Sequence, residues 1–162
     1  MKEPEILEID TKKLVGIKVS TSLADDKTSL LWKRFMQYKE AIMNTINDEL
    51  YSVQFYNEQF INGKFDSQSV FEKGAAMEVE DYAEIPKGLQ ELKIEAGLYA
   101  VFIHQGTSNE FAETAKTIFE QWIPNSKYQL DDRPHFEVLG KEYKGPDDPG
   151  SKEKIYIPIK KK

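Results

Sequence analysis

Two stretches of this chain repeat each other at a nearly constant distance, and that repetition restricts the fold more than any other feature. Val53 and Phe136 stand 83 residues apart, as do Phe55 and Val138, while Leu14 and Leu98 stand 84 apart. Met77 and Ile155 are separated by 78, an offset that a shorter final loop accommodates. A self-similar spacing of this kind marks a supersecondary unit used twice.

Each copy reads strand, helix, strand, strand. In the first, the β-branched stretch Leu14 to Val19 is followed by Asp25 and Asp26, acids suited to a helix N-terminus. Leu31, Phe35, Tyr38, Ile42 and Ile46 then recur at helical spacing and predict one buried helix face. Leu50 to Tyr56 and Ala75 to Glu80 read as strands. After Pro86-Lys87-Gly88 the pattern restarts with the strand Leu98 to His104. Thr107 and Glu110 form a capping box, and the helix after them should bury Phe111, Ala115, Ile118, Phe119 and Trp122 and end at Pro124. His135 to Leu139 is a strand, and Ile155, Ile157 and Ile159 share one face of another, with Tyr156 and Pro158 on the reverse. The expected fold is α+β: duplicated βαββ units in a joined antiparallel sheet, two helices on one face, and a ligand cleft at the pseudo-twofold seam. That cleft is expected as a groove on the face opposite the helices. The whole chain, 1–162, is expected to be one domain, with repeats over 5–84 and 94–160.

Composition narrows the function. Lys and Arg number 22 against 28 Asp and Glu, and a net charge of −6 repels phosphate backbones and anionic lipid. Direct nucleic-acid binding and membrane association are therefore not expected. The chain has no cysteine, which removes disulfides, thiolate nucleophiles and sulfur-ligated zinc. The acidic start Met1-Lys2-Glu3-Pro4-Glu5 does not resemble a secretion signal, so a cytoplasmic location is expected. Eight Tyr are many for this length, and each hydroxyl favours a surface or a pocket.

Familiar catalytic motifs are missing: there is no G-x-S-x-G and no H-E-x-x-H. Gly145 to Lys152 echoes a phosphate loop only superficially, because Ser and Lys stand in the wrong order and a strand follows. No metal or cofactor is expected. Glu137 is more informative. It alternates with Phe136 and Val138, so if those two pack beneath the helices, Glu137 points to the other face with His135. Its repeat mate is Gln54, with Tyr56 two residues further on, and Tyr156 is placed outward from the helices. Such a set suits an organic cation, the carboxylate supplying charge and aromatic faces adding cation–π attraction. On pattern alone a second reading stands beside it, a solvated acid on an open sheet face. His135 reads as a polar strand residue, and His104 as a turn cap.

Gly97-Leu98-Tyr99-Ala100-Val101-Phe102, Gly106, Ile118-Phe119-Glu120-Gln121-Trp122-Ile123-Pro124, Pro134-His135-Phe136-Glu137 and Ile155-Tyr156-Ile157-Pro158-Ile159 together resemble the GyrI-like effector-binding domain. In the first half the resemblance rests on Leu14-Val15-Gly16-Ile17 and the helix containing Trp32. That family occurs fused to AraC-type and MerR-type multidrug regulators and as free-standing proteins. The resemblance implies the duplicated fold and implies that Glu137, in the Pro-x-Phe-Glu segment, receives lipophilic cations, with Tyr156 near the pocket. The expected ligand-binding set is Glu137, Tyr156, Tyr56, Gln54, Tyr99 and Trp32. A strand pattern beginning by Leu14 leaves no room for a helix-turn-helix, so any regulatory effect is expected to need a protein partner or ligand sequestration. An alternative is a hydrolase of strained-ring DNA-alkylating natural products, with Glu137 as general base and Tyr156 or Tyr99 as acid. Another is a modulator of DNA gyrase.

Overall fold

A computed structural model describes residues 2–162; Met1, the first residue of the acidic start, lies outside them. The described residues form nine strands, β1 (Glu5–Ile9), β2 (Lys12–Thr21), β3 (Leu50–Phe55), β4 (Phe71–Glu78), β5 (Gln90–Ile94), β6 (Gly97–Gln105), β7 (Tyr128–Leu130), β8 (His135–Leu139) and β9 (Lys152–Lys161), of which β2, β3, β4, β6, β8 and β9 are the six expected stretches. The helices are α1 (Thr28–Tyr38), α2 (Glu58–Ile61), α3 (Ser108–Lys116) and α4 (Ile123–Asn125), with a π-helical segment, Thr117–Trp122, between the last two. No helix among the described residues is long and apolar enough to cross a membrane.

Eight strands pair antiparallel in the order β1-β6-β9-β8-β3-β4-β2-β5, and β7 adds to β9. The centre is the β3–β8 ladder, in which Val53 lies directly opposite Phe136. From that ladder the two βαββ units run outward symmetrically, β3-β4-β2 on one side and β8-β9-β6 on the other. The sequence pattern did not yield β1, β5 or β7. β1 and β5 each lead one unit yet pair with the first strand of the other, β1 with β6 and β5 with β2. The connections that follow them meet, the Ala96 amide donating to Thr11 Oγ1 at 3.3 Å.

Pairing register decides which residues share a face. One row crosses the sheet through Ile17, Ala75, Ser52, Glu137, Ile155 and Phe102. Leu31 and Phe35 of α1 pack over Val15, Ile17, Ala75 and Met77 at one end of it. Ile118 and Ile123 pack over Ala100, Phe102, Ile155 and Ile157 at the other. Both helices therefore cover the same face, as expected, and Ser52 and Glu137 fall at the seam between them. The reverse face carries its own core of Leu14, Tyr51, Val53, Leu92, Tyr99, Phe136 and Val138. The expected open groove on that face is replaced by packed side chains.

Local deviations have local causes. α1 stops at Tyr38 and a single 3₁₀ turn follows, because Ile42 is extended at φ −81°, ψ 112°. Ile42 still reaches the core, but Tyr38 and Ile46 are exposed. Asp26 supports the start of α1 by accepting from the Thr28 amide at 3.0 Å. The Thr107–Glu110 capping box forms as expected. The helical run that starts at Ser108 ends at Asn125, one residue past Pro124 and close to where the proline was expected to stop it.

Gly16 marks the tightest strand contact. A Cβ there would lie 1.9 Å from the Ala75 carbonyl oxygen and 2.7 Å from Ala76 Cα, backbone atoms that cannot rotate away. Gly16→Ala should lower stability by roughly 2 kcal/mol or more. Urea unfolding measures this, and an unchanged midpoint would contradict the close approach.

Candidate functional site

β3 and β8 present alternate residues to the helix face, and pairing sets Ser52 opposite Glu137 and Gln54 opposite His135. Four polar side chains thus stand at the middle of a surface that is otherwise apolar. All four are buried. Gln54 Nε2 donates to Glu137 Oε1 at 3.0 Å and to Ser52 Oγ at 3.3 Å. Gln54 and Glu137 are the residues related by the repeat, and they bond to each other across its axis.

Aromatic rings cover this group. Tyr56 follows β3 on the same face and stacks on Phe60 of α2, with centroids 4.0 Å apart and planes 10° apart. The Tyr56 and Phe60 rings meet His135 edge-on at 4.9 and 5.2 Å. Phe119, from the π-helical segment, stands 5.3 Å from Phe60 and 5.9 Å from His135. Phe65 and Phe71 close the far side of Tyr56. The Asn57 side chain caps α2 by accepting from the Gln59 amide, which fixes where Phe60 falls.

The electrostatics follow from burial. Among the described residues no ion pair involves Glu137. Burial pushes its pKa up to about 7. Lys73 and the hydrogen bonds from Gln54 and Ser52 hold the value down, while the charge of Glu153 adds to the rise. Lys73 itself is tied to α1, donating to Thr28 Oγ1 at 3.0 Å. His135 is pressed down to about 3, by burial first and by the charge of Arg133 second. Its Nδ1 is buried and has no hydrogen-bond partner. Tyr56 is raised by burial and by the neighbouring Glu137 charge, so its hydroxyl stays protonated at neutral pH.

The structure brings Glu137, Gln54 and Tyr56 together and separates the rest of the expected set. The expectation that Phe136 and Val138 lie beneath the helices with Glu137 on the reverse face is inverted. Glu137 pairs with Ile155, which belongs to the α3 core, whereas Phe136 pairs with Tyr156 on the other face. Tyr156 stacks on Phe136 there, at 4.4 Å and 10°, and Tyr99 meets Phe136 edge-on at 5.5 Å. Trp32 is on the helix face but packs within the α1 cluster, edge-on to Phe35 at 5.9 Å. His104 holds α3 to β6, its Nδ1 2.8 Å from Thr114 Oγ1 and its Nε2 3.0 Å from the Thr107 carbonyl. Sequence reasoning missed His135, Phe60 and Phe119 as site residues. The signals available were the His135–Glu137 alternation and the run of aromatics Tyr56, Phe60, Phe65 and Phe71. Among the described residues there is no cluster of three or more His, Asp or Glu able to hold a metal ion.

The two βαββ units thus join in one antiparallel sheet that buries a carboxylate at their pseudo-twofold seam, beside Tyr56. The chain belongs to the GyrI-like small-molecule binding domain family, whose model matches residues 2–160. It is 28% identical over 155 residues to the transcriptional regulator BrlR of Pseudomonas aeruginosa, covering 95% of this chain and 54% of that protein. The chain thus spans about half the length of that relative. Its fold is similar to that of SAV2435 bound to tetraphenylphosphonium, with a TM-score of 0.72 at 16% identity over 98% of this chain and 94% of the other. It is also similar to a hydrolase encoded by lin2189 from Listeria innocua, with a TM-score of 0.60 at 11% identity over 98% and 92%.

The buried pair predicts a characteristic pH dependence of stability. Between pH 4.5 and about 7 the folded chain keeps a proton on Glu137 that the unfolded chain has released, so this group lowers stability as pH rises through that window. His135 acts in the opposite sense, because the unfolded imidazole charges below 6.5 while the folded one waits until about 3. Glu137→Gln should therefore raise the melting temperature at pH 8 and less so at pH 5, with a ceiling of roughly 3 kcal/mol at the higher pH. Thermal unfolding across pH tests this, and an equal gain at both values contradicts it.

Proposed function

We propose that this domain binds lipophilic organic cations at the helix-face seam, with Glu137 receiving the charge and Tyr56, Phe60 and Phe119 contacting the apolar groups. The observation that carries the reading is the buried Glu137 carboxylate, which has no ion-pair partner among the described residues and neighbours Tyr56, whose ring packs with Phe60 against His135. A carboxylate in that position is costly while unpaired, and a cation that enters offsets its desolvation. Aromatic walls add about 0.5–2 kcal/mol per well-placed face and accept many shapes, so specificity would be broad. The tetraphenylphosphonium bound to a structural relative has this chemistry, a delocalised cation inside aromatic groups.

Glu137 is 8% exposed, so a ligand needs the cover to move. α2 is suited to that, being a four-residue helix with no buried residue. Its displacement would carry Phe60 off His135 and Tyr56 without breaking the sheet. The relation to a transcriptional regulator supports a sensing role in which this rearrangement is the signal to a partner or further domain.

Hydrolysis is the less favoured reading. Glu137 and Tyr156 face opposite sides of the sheet, so they cannot act on one substrate atom. Tyr56, the tyrosine nearest Glu137, is a weak acid there because its pKa is raised.

Two measurements test the binding reading. At pH 8, Glu137→Gln should weaken tetraphenylphosphonium binding by about tenfold or more and leave neutral triphenylphosphine oxide nearly unchanged; equal losses for both would sink it. Below pH 7, binding must also release the Glu137 proton, so affinity should fall about tenfold per pH unit. Calorimetry in buffers of different ionisation enthalpy should then find about one proton released per cation at pH 6 and almost none at pH 9.

A further inference from the structure

His135 is out of place in its surroundings. Its ring is 3% exposed, and Tyr56, Phe60 and Phe119 pack against it. A Phe would fill such a cage without leaving a polar atom unsatisfied, whereas an unpartnered buried ring nitrogen costs stability. Nδ1 is that nitrogen. The neutral ring carries one proton on its two nitrogens, so with the proton on Nε2 the Nδ1 lone pair is free to accept. His135 and Glu137 are alternate residues of β8 on one face, which places their attachment points about 6.7 Å apart along the strand. Two hydrogen bonds diverging from a single tetrahedral nitrogen reach acceptors about 5 Å apart. Both side chains leave the same face of one short strand, within reach of a single ammonium group.

We propose that the seam prefers cations that carry N–H bonds, protonated amines over fully substituted onium ions that it also binds, and that His135 Nδ1 is the second acceptor beside the Glu137 carboxylate. The proposal rests on the cation-binding reading of Glu137 and adds to it a ligand class and a specificity-determining residue. Glu137 attracts any cation; His135 distinguishes among them, because an N–H group satisfies the orphaned nitrogen and a methyl group leaves it unsatisfied. In the bound state His135 is held in the tautomer protonated on Nε2.

The test compares two probes of equal charge and similar shape at pH 8, 2,2-diphenylethylammonium and its N,N,N-trimethyl derivative, by calorimetric titration. The wild-type chain should bind the N–H probe about threefold to tenfold more tightly after allowance for the added methyl groups, for which the corresponding neutral hydrocarbon pair serves as reference. His135→Phe should remove that preference and keep the affinity for the trimethyl probe. His135→Asn, which retains an acceptor near the Nδ1 position, should keep part of it. In the wild type, the ¹⁵N resonance of His135 Nδ1 should shift with the N–H probe and not with the trimethyl one. Equal binding of the two probes by the wild type overturns the proposal, as does an equal loss for both in His135→Phe. If His135→Phe does not fold, the wild-type comparison, the resonance and His135→Asn still decide. Failure of the underlying reading looks different: Glu137→Gln would then leave both probes unaffected, whereas failure of the selectivity alone leaves both weakened by that variant.

Discussion

The ladder between β3 and β8 is the joint on which the other features depend. It places Val53 against Phe136, and the same register puts Ser52 against Glu137 and Gln54 against His135. In antiparallel strands a one-residue slip would turn all of these to the opposite faces. Neither half could then bring its part of the site beneath the helices. The polar group at the seam is therefore a consequence of how the halves join. The exchange of β1 and β5 between the halves reinforces that joint from the far edges.

A sheet with helices on one face normally leaves the other to water, and the reading of Glu137 from sequence relied on that expectation. Here the second face is apolar too, with Tyr51, Tyr99 and Phe136 fully enclosed. The connection from β5 into β6 is only Glu95 and Ala96, yet it joins the last strand of the order to the second. The sheet must therefore curl, and its inner surface becomes a core. Much of the tyrosine excess is spent there: Tyr51 donates to Glu78 Oε1 at 3.1 Å and Tyr99 to the Glu95 carbonyl at 2.7 Å. These hydroxyls are satisfied structural groups, not free walls of a pocket.

Much of the fold was legible from residue pattern. The 83-residue offset located the pairing axis, the isoleucines of β9 located the helix face, and Thr107 with Glu110 located the start of α3. What was not legible had physical reasons. The alternation in β8 showed that Phe136 and Val138 share a face without Glu137, but both candidate faces are apolar, so period alone could not say which meets the helices. β1 and β5 are five residues each and find their partners across the molecule, which no local signal encodes. The cover of the site comes from a one-turn helix and a π-helical segment, and neither leaves a clean periodicity. That Glu137, Gln54 and Tyr56 share a face was readable because the repeat links the first two and strand spacing adds the third; the packing of Phe60 and Phe119 on His135 was not.

The site holds two titratable groups whose burial drives both toward the neutral form, Glu137 upward and His135 downward. Below about pH 7 and without a ligand, neutral Glu137 and neutral His135 give a seam with little charge, which a cover of aromatic rings can close at small electrostatic cost. An entering cation changes this balance for the carboxylate alone, because only Glu137 gains by ionising beside it; His135 stays neutral and keeps its acceptor. On the proposed reading, charge and hydrogen-bond acceptance are divided between two residues of one short strand, one answering the ligand's charge and the other its protons. A second carboxylate in place of the imidazole would titrate together with Glu137 and blur that division. A phenyl ring would pack as well and recognise nothing.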